Sequence, residues 1–145
     1  MLLREKLGAL GTSVGLIQGN ARVLAQAYVQ WMEEILGEGA MRSSDLNGAP
    51  ESLIASLLPL VTPVPSKALF LETLSGHCAF FNNFRLGPDV MPAMQMLAKR
   101  LSVPTIRATC SPAKLSLAHM PATVKRYPAN ILEISDANGD MMIDS

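Results

Sequence analysis

The chain has 145 residues, 49% of them hydrophobic, and sets 12 lysines and arginines against 12 aspartates and glutamates for a formal net charge of zero at pH 7. That length suits one core, and the charge balance argues against a protein held to nucleic acid by phosphate neutralisation. No stretch reaches the roughly 18 consecutive apolar residues of a membrane-spanning helix, because Arg, Lys, Glu, Gln, Pro or Asn interrupts every run.

At the start, Arg4 and Lys6 precede a mildly apolar stretch, residues 7–17, in a superficial likeness to a secretion signal. Glu5 and the diluting Gly8, Gly11 and Gly15 oppose it, and a cytoplasmic location is expected. From Asn20, a residue suited to capping, Val23, Leu24, Ala27, Tyr28, Trp31, Met32, Ile35 and Leu36 recur at helical spacing. Gly37 and Gly39 stop that helix, which extends back toward Ser13 only against the glycines. Residues 39–49 read as a loop. Pro50 and Glu51 open a second, short helix with Leu53, Ile54, Leu57 and Leu58 on one side, ending near Pro59. Pro63 and Pro65 make residues 61–66 an extended connector.

Residues 67–74 and 78–84 are apolar runs around Ser75 and Gly76, the pattern of a hairpin, here expected at the centre of a sheet. Gly87, Pro88 and Asp89 begin a helix that tolerates Pro92 in its first turn and buries Val90, Met94, Leu97 and Leu101. Lys99 and Arg100 suit its last turn, and Pro104 prevents continuation. Residues 105–110 form a further strand and 111–128 a long loop. Residues 130–135 and 140–143 are strands around the turn-forming Asp136, Ala137, Asn138 and Gly139.

The expected fold is therefore α+β, a single domain over residues 1–145. Its helical N-terminal part, 1–60, is followed over 67–145 by a four- to five-stranded, mainly antiparallel sheet with one inserted helix, in ββαβ(β) order.

The motifs of metal, dinucleotide, P-loop and nucleophile-elbow chemistry are missing from the sequence, and no cofactor or metal is expected. The acidic run from Asp136 to Asp144 has its glycine at the wrong position for a calcium loop and reads as a hairpin turn. His77 and Cys78 are neighbours in a strand, so their side chains project to opposite faces and form no dyad. Two reduced, structural thiols at Cys78 and Cys110 are the simpler account. Tyr28 and Trp31 belong to the core stripe of the first helix, with a partner surface of Trp31, Met32 and Leu36 as the alternative.

The cluster that points to binding is Asn82, Asn83, Arg85, Gly87 and Asp89, where an apolar strand turns polar ahead of a helix start. Exposed amides beside a guanidinium suit a carboxylate, a phosphate or a partner's acidic side chain, while local turn and cap preferences explain the same residues without a ligand. The bases between Arg85 and Arg126, including Lys99 and Arg100, are opposed only by Asp89, whereas residues 33–51 and the C-terminus are acidic. The functional expectation is a small bacterial, non-enzymatic binding protein of accessory or immunity type. It would act through this charged surface on a protein partner or as a homodimer, with candidate contacts Asn82, Asn83, Arg85, Asp89, Lys99 and Arg100. The alternative is a small hydrolase or transferase assembled from Cys78 or Cys110 with His119 and Asp89.

Overall fold

The computed structural model describes residues 13–60, 67–83, 90–111, 129–138 and 141–144. In chain order the elements are β1 (Ser13–Gln18), α1 (Ala21–Leu36), α2 (Pro50–Ala55), β2 (Ala68–Glu72), β3 (His77–Asn82), α3 (Met91–Leu101), β4 (Thr105–Ser111), β5 (Ala129–Ser135) and β6 (Met141–Asp144). The strands form one sheet in the order β2-β3-β1-β4-β5-β6, and every neighbouring pair is antiparallel.

The mixed architecture and antiparallel pairing follow the sequence reading, but its order needs correction. The chain begins its described part with a strand, where the reading placed only helices; residues 68–144 supply the five strands β2–β6, within the expected four to five, and β1 adds a sixth. That first strand lies in the interior, between β3 and β4, while β2, expected at the centre, is an edge. The cause is local. β1 puts Gly15 opposite both Phe80 and Arg107, and a Cβ at Gly15 would stand 2.4 Å from Met94 Sδ. Glycine lets α3 descend onto the sheet here, so a residue that weakens a strand prediction is required by the packing.

α1 forms as its spacing predicts. Asn20 Oδ1 accepts from the backbone N–H of Arg22 at 2.9 Å and Val23 at 3.4 Å, and Gly37, at φ 100°, ends the helix by donating to Glu33 O. α3 differs at its start: Val90 occupies the cap position without a side-chain hydrogen bond, Met91 is the first helical residue, and the expected starters Gly87, Pro88 and Asp89 lie outside the described residues. Its end is as expected, with Lys99 and Arg100 in the last turn and Ser102 in the left-handed conformation.

Two apolar clusters sit on opposite faces of the sheet. On one, α1 and α3 bury Ile17, Leu24, Tyr28, Met32, Cys78, Phe80, Met94 and Leu97. Tyr28 lies 5.7–5.8 Å from the rings of Trp31, Phe70 and Phe80 in tilted or edge contacts, each worth about 1 kcal/mol beyond the area it buries. Tyr28 and Met32 are thus core residues, and Trp31 packs partly buried against the same cluster. On the other face α2 brings Ile54 and Leu57 against Leu69 and Phe81, with Val14, Leu71 and Ala79 beside them. α2 thereby covers the β2–β3 half of that face.

Candidate functional site

β3 delivers Asn82 and Asn83 to the end of the hairpin, and both are buried. Asn83 Oδ1 accepts from the backbone N–H of Lys67, and its Nδ2 donates to Pro59 O, both at 3.0 Å. Lys67 Nζ then donates to Ser56 O at 2.8 Å and Leu58 O at 2.6 Å. These bonds form a clasp that fastens the chain leaving α2 to the start of β2 and the end of β3. An asparagine suits it because one planar amide presents an acceptor and a donor to two different strands of chain. The polar capacity of Asn83 is directed inward, toward the fold.

Among the described residues, the predicted contacts Lys99 and Arg100 do not gather around it. Arg85, Gly87 and Asp89 lie outside the described residues. Lys99 is exposed near the C-terminal end of α3, and the Arg100 guanidinium forms an ion pair with Glu34 of α1, holding the two helices together. The β1 register puts Cys78 and Thr105 on either side of Ile17. The chain passing from α3 into β4 therefore meets the sheet at the Cys78 end of β3, and Asn82 is at the other end of that strand. Asn82 and Asn83 do not share a site with Lys99 and Arg100.

The thiols are separated as well. Cys78 is fully buried under α1 and α3, and burial, with the nearby Glu72 carboxylate adding to it, pushes its pKa up to about 12. His77, next to it in β3, has Nδ1 3.3 Å from Ser75 O. Cys110 is partly buried opposite Asn130. Alternation along β4 sets Cys110 on the face opposite Thr105, and Thr105 shares a face with Ile17 and Cys78. Both cysteines are free, and they occupy opposite faces of the sheet. His119 and Asp89, the other members of the assembled-site alternative, fall outside the described residues.

The features that sequence reasoning missed lie in β4 and β5. Arg107 and Glu133 are paired in register and form an ion pair whose side chains are 19% and 10% exposed. On the same face, which also carries α1 and α3, Ser13 Oγ and Thr109 Oγ1 are 3.0 Å apart, and Thr105 and Ser135 are buried. The alternate positions belong to the α2 face: Leu16 with Ile106, Val14 with Ala108, and across β4–β5 Ile106 with Ile134 and Ala108 with Leu132. Leu132 and Ile134 are 41% and 36% exposed. Among the described residues no helix covers this strip, so the charged pair is on the covered face and the strip on the other face is apolar, with Asn130 beyond one end of it and Asp144 in register with Leu132 on the neighbouring β6. The signal was available: residues 105–110 and 130–135 each place one charge, of opposite sign, at mid-strand.

No protein-family model, curated protein or solved structure matches the chain. Among the described residues, fold and site define the class as an α+β protein with a six-stranded antiparallel sheet, helices on both faces and an apolar strip over β1–β4–β5 that no helix covers. Among the described residues no helix is long and apolar enough to cross a membrane, and no group of histidine, cysteine, aspartate and glutamate side chains is arranged to hold a metal ion.

Proposed function

We propose that the protein is a non-enzymatic interaction protein, accessory or immunity-type in kind, that associates with a second copy of itself through the apolar strip of Leu16, Ile106, Ala108, Leu132 and Ile134. The observation that carries this reading is the exposure of Leu132 and Ile134 on a sheet face with no charged residue in the strip. Two such strips brought together by a twofold axis bury apolar surface, with Asp144, in register with Leu132 on β6, at the margin of the contact, and sheets pack well face to face. Strand spacing of about 4.8 Å and a rise of about 3.3 Å per residue give the strip on the order of 250 Å² of flat face. A stable dimer needs about 800 Å² of accessible surface per partner. The association is therefore reversible and concentration-dependent. The engagement of Arg100 by Glu34 and of Asn83 by Lys67 and Pro59 favours the strip over the basic residues as the contact surface. A cytoplasmic location accords with two cysteines kept as free thiols.

Sedimentation velocity over a wide range of protein concentration tests the reading. The wild type should shift from monomer toward dimer as concentration rises, and Leu132→Asp should stay monomeric with an unchanged melting temperature. A wild type that remains monomeric throughout rejects self-association. Loss of the dimer in Lys99→Glu/Arg100→Glu but not in Leu132→Asp moves the contact to the charged end of α3.

A further inference from the structure

The chain has two asparagines followed by glycine, Asn47–Gly48 and Asn138–Gly139, and the fold places the two asparagines in different chemical situations. We infer that Asn47 is a site of spontaneous deamidation, and that Asn138 is held back from the same reaction by the carboxylate of Asp136.

In this reaction the backbone nitrogen of the following residue attacks the side-chain Cγ. A Cγ–N bond forms, the Cγ–Nδ2 bond breaks, and ammonia leaves with a proton taken from the attacking amide. The resulting five-membered succinimide is opened by water at either carbonyl, giving aspartate or, with the main chain rerouted through the side chain, isoaspartate. Water is the only co-reactant. The step needs a following residue that does not obstruct the approach, a backbone free to bring nitrogen to Cγ, and an asparagine amide not committed elsewhere. Glycine meets the first need because it has no Cβ.

Asn47 meets the others. It lies between α1 and α2 in a segment without helix or strand, and residues 42–49 are all exposed. Among the described residues its amide has no hydrogen-bond partner, in contrast to the asparagines that the fold employs. Asn20 caps α1 and donates to Glu72 Oε1. Asn83 is in the buried clasp, and Asn82 and Asn130 are in strands.

Asn138 shares the favourable glycine but not the freedom. Its backbone N–H donates to Asp136 Oδ1 at 2.9 Å, and its Nδ2 is 3.4 Å from Asp136 Oδ2. Attack on Cγ converts the amide oxygen into an oxyanion, so negative charge develops beside an existing carboxylate. At this solvated position the repulsion slows the step about fivefold, the equivalent of about 1 kcal/mol between unit charges near 4 Å in water. The turn's own hydrogen bonds add to that restraint.

The reaction changes the molecule at a defined place. Asn47 stands two residues before Ala49, which precedes α2 without a side-chain cap. Deamidation adds one negative charge to a chain whose formal net charge is zero.

The test is incubation of the intact, folded protein at neutral pH and body temperature, with timed samples mapped by peptide mass spectrometry. Isoaspartate is scored by enzymatic methylation with an isoaspartyl methyltransferase. Isoaspartate should accumulate at position 47 at least about fivefold faster than at 138. Asn47→Gln should remove the main acidic species from ion-exchange profiles of aged protein, and in concentrated urea the two sites should converge in rate. Equal rates in the folded protein, a faster reaction at 138, or a difference that persists undiminished in urea would each overturn the inference.

Discussion

Raising the pH above 9 should destabilise this protein through one buried thiol, and the size of the effect follows from the structure. Cys78 is fully buried between the sheet and the α1–α3 layer, and its pKa rises from 9.0 to about 12. In the unfolded chain the thiol ionises near its ordinary value, while in the folded protein it stays protonated. The unfolded state therefore loses a proton first, and stability present below about pH 9 is lost progressively up to about pH 12. Each pH unit in that window costs about 1.4 kcal/mol, so at about pH 10.5 the loss is about 2 kcal/mol. Tyr28, raised from 10.0 to about 12 by burial, adds a second loss of the same sign above pH 10. The assay is urea denaturation followed by circular dichroism across this range, on the wild type and on Cys78→Ala. The variant gives up about 1 kcal/mol at neutral pH to a small cavity, but its stability should be flat between about pH 9 and 10 wherever the wild type falls because of this thiol. Contributions from the rest of the chain are common to both proteins and cancel in the difference. A difference between the two proteins that stays constant with pH would refute the reasoning. Under the same account, iodoacetamide should modify Cys110 in the native protein and reach Cys78 only as fast as the fold opens.

Two further substitutions test the polar devices of the fold. Asn83→Ala should lower unfolding free energy by about 2 kcal/mol, the cost of leaving the Lys67 N–H and the Pro59 carbonyl without the amide. Hydrogen exchange should at the same time accelerate in α2 more than in α1, and uniform acceleration would mean that the clasp does not hold α2 locally. For the ion pair, Glu133→Leu alone should cost about 3 kcal/mol by stranding a guanidinium in a mostly buried site. Arg107→Met with Glu133→Leu should return to within about 1 kcal/mol of the wild type, as measured by calorimetric melting. A double variant as unstable as the sum of its singles would show that the two residues do not act as a pair.

How far the sequence revealed the fold depended on whether an element's signal was its own. α1 was legible because its apolar period, its Asn20 cap and its Gly37 stop are all local. β4 and β5 were legible as strands from their alternation. β1 was not: Val14, Leu16 and Ile17 around Gly15 form a short apolar run whose period does not separate strand from helix, and the reason for Gly15 is Met94, far along the chain. The β2–β3 hairpin was found but misplaced. Its continuous apolar character arises from α1 on one face and α2 on the other, which a central strand and a covered edge strand share equally. In the candidate site, the burial of Asn83 rests on partners 16 and 24 residues away, so its polar position at a strand end was visible and its role was not. Arg107 and Glu133 required a register between two strands, which no single strand carries.

The distribution of charge over the β1–β4–β5 half of the sheet supports the proposed self-association. A half-covered antiparallel sheet normally turns apolar residues to the covered face and polar ones to water. Here the covered face holds Arg107, Glu133, Thr105 and Ser135, and the uncovered one holds Leu16, Ile106, Ala108, Leu132 and Ile134. A chain that is 49% hydrophobic does not produce this everywhere. The exposed positions of α1 are mostly polar, Arg22, Gln26, Gln30 and Glu34, and its exposed Val23, Ile35 and Leu36 sit beside charged neighbours. Apolar surface stabilises nothing while it faces water, at about 25 cal/mol per Å² gained only on burial. Ile106, Ala108, Leu132 and Ile134 contribute their full share only when another surface lies on them, and the strip's lack of charge makes a second identical strip an acceptable cover.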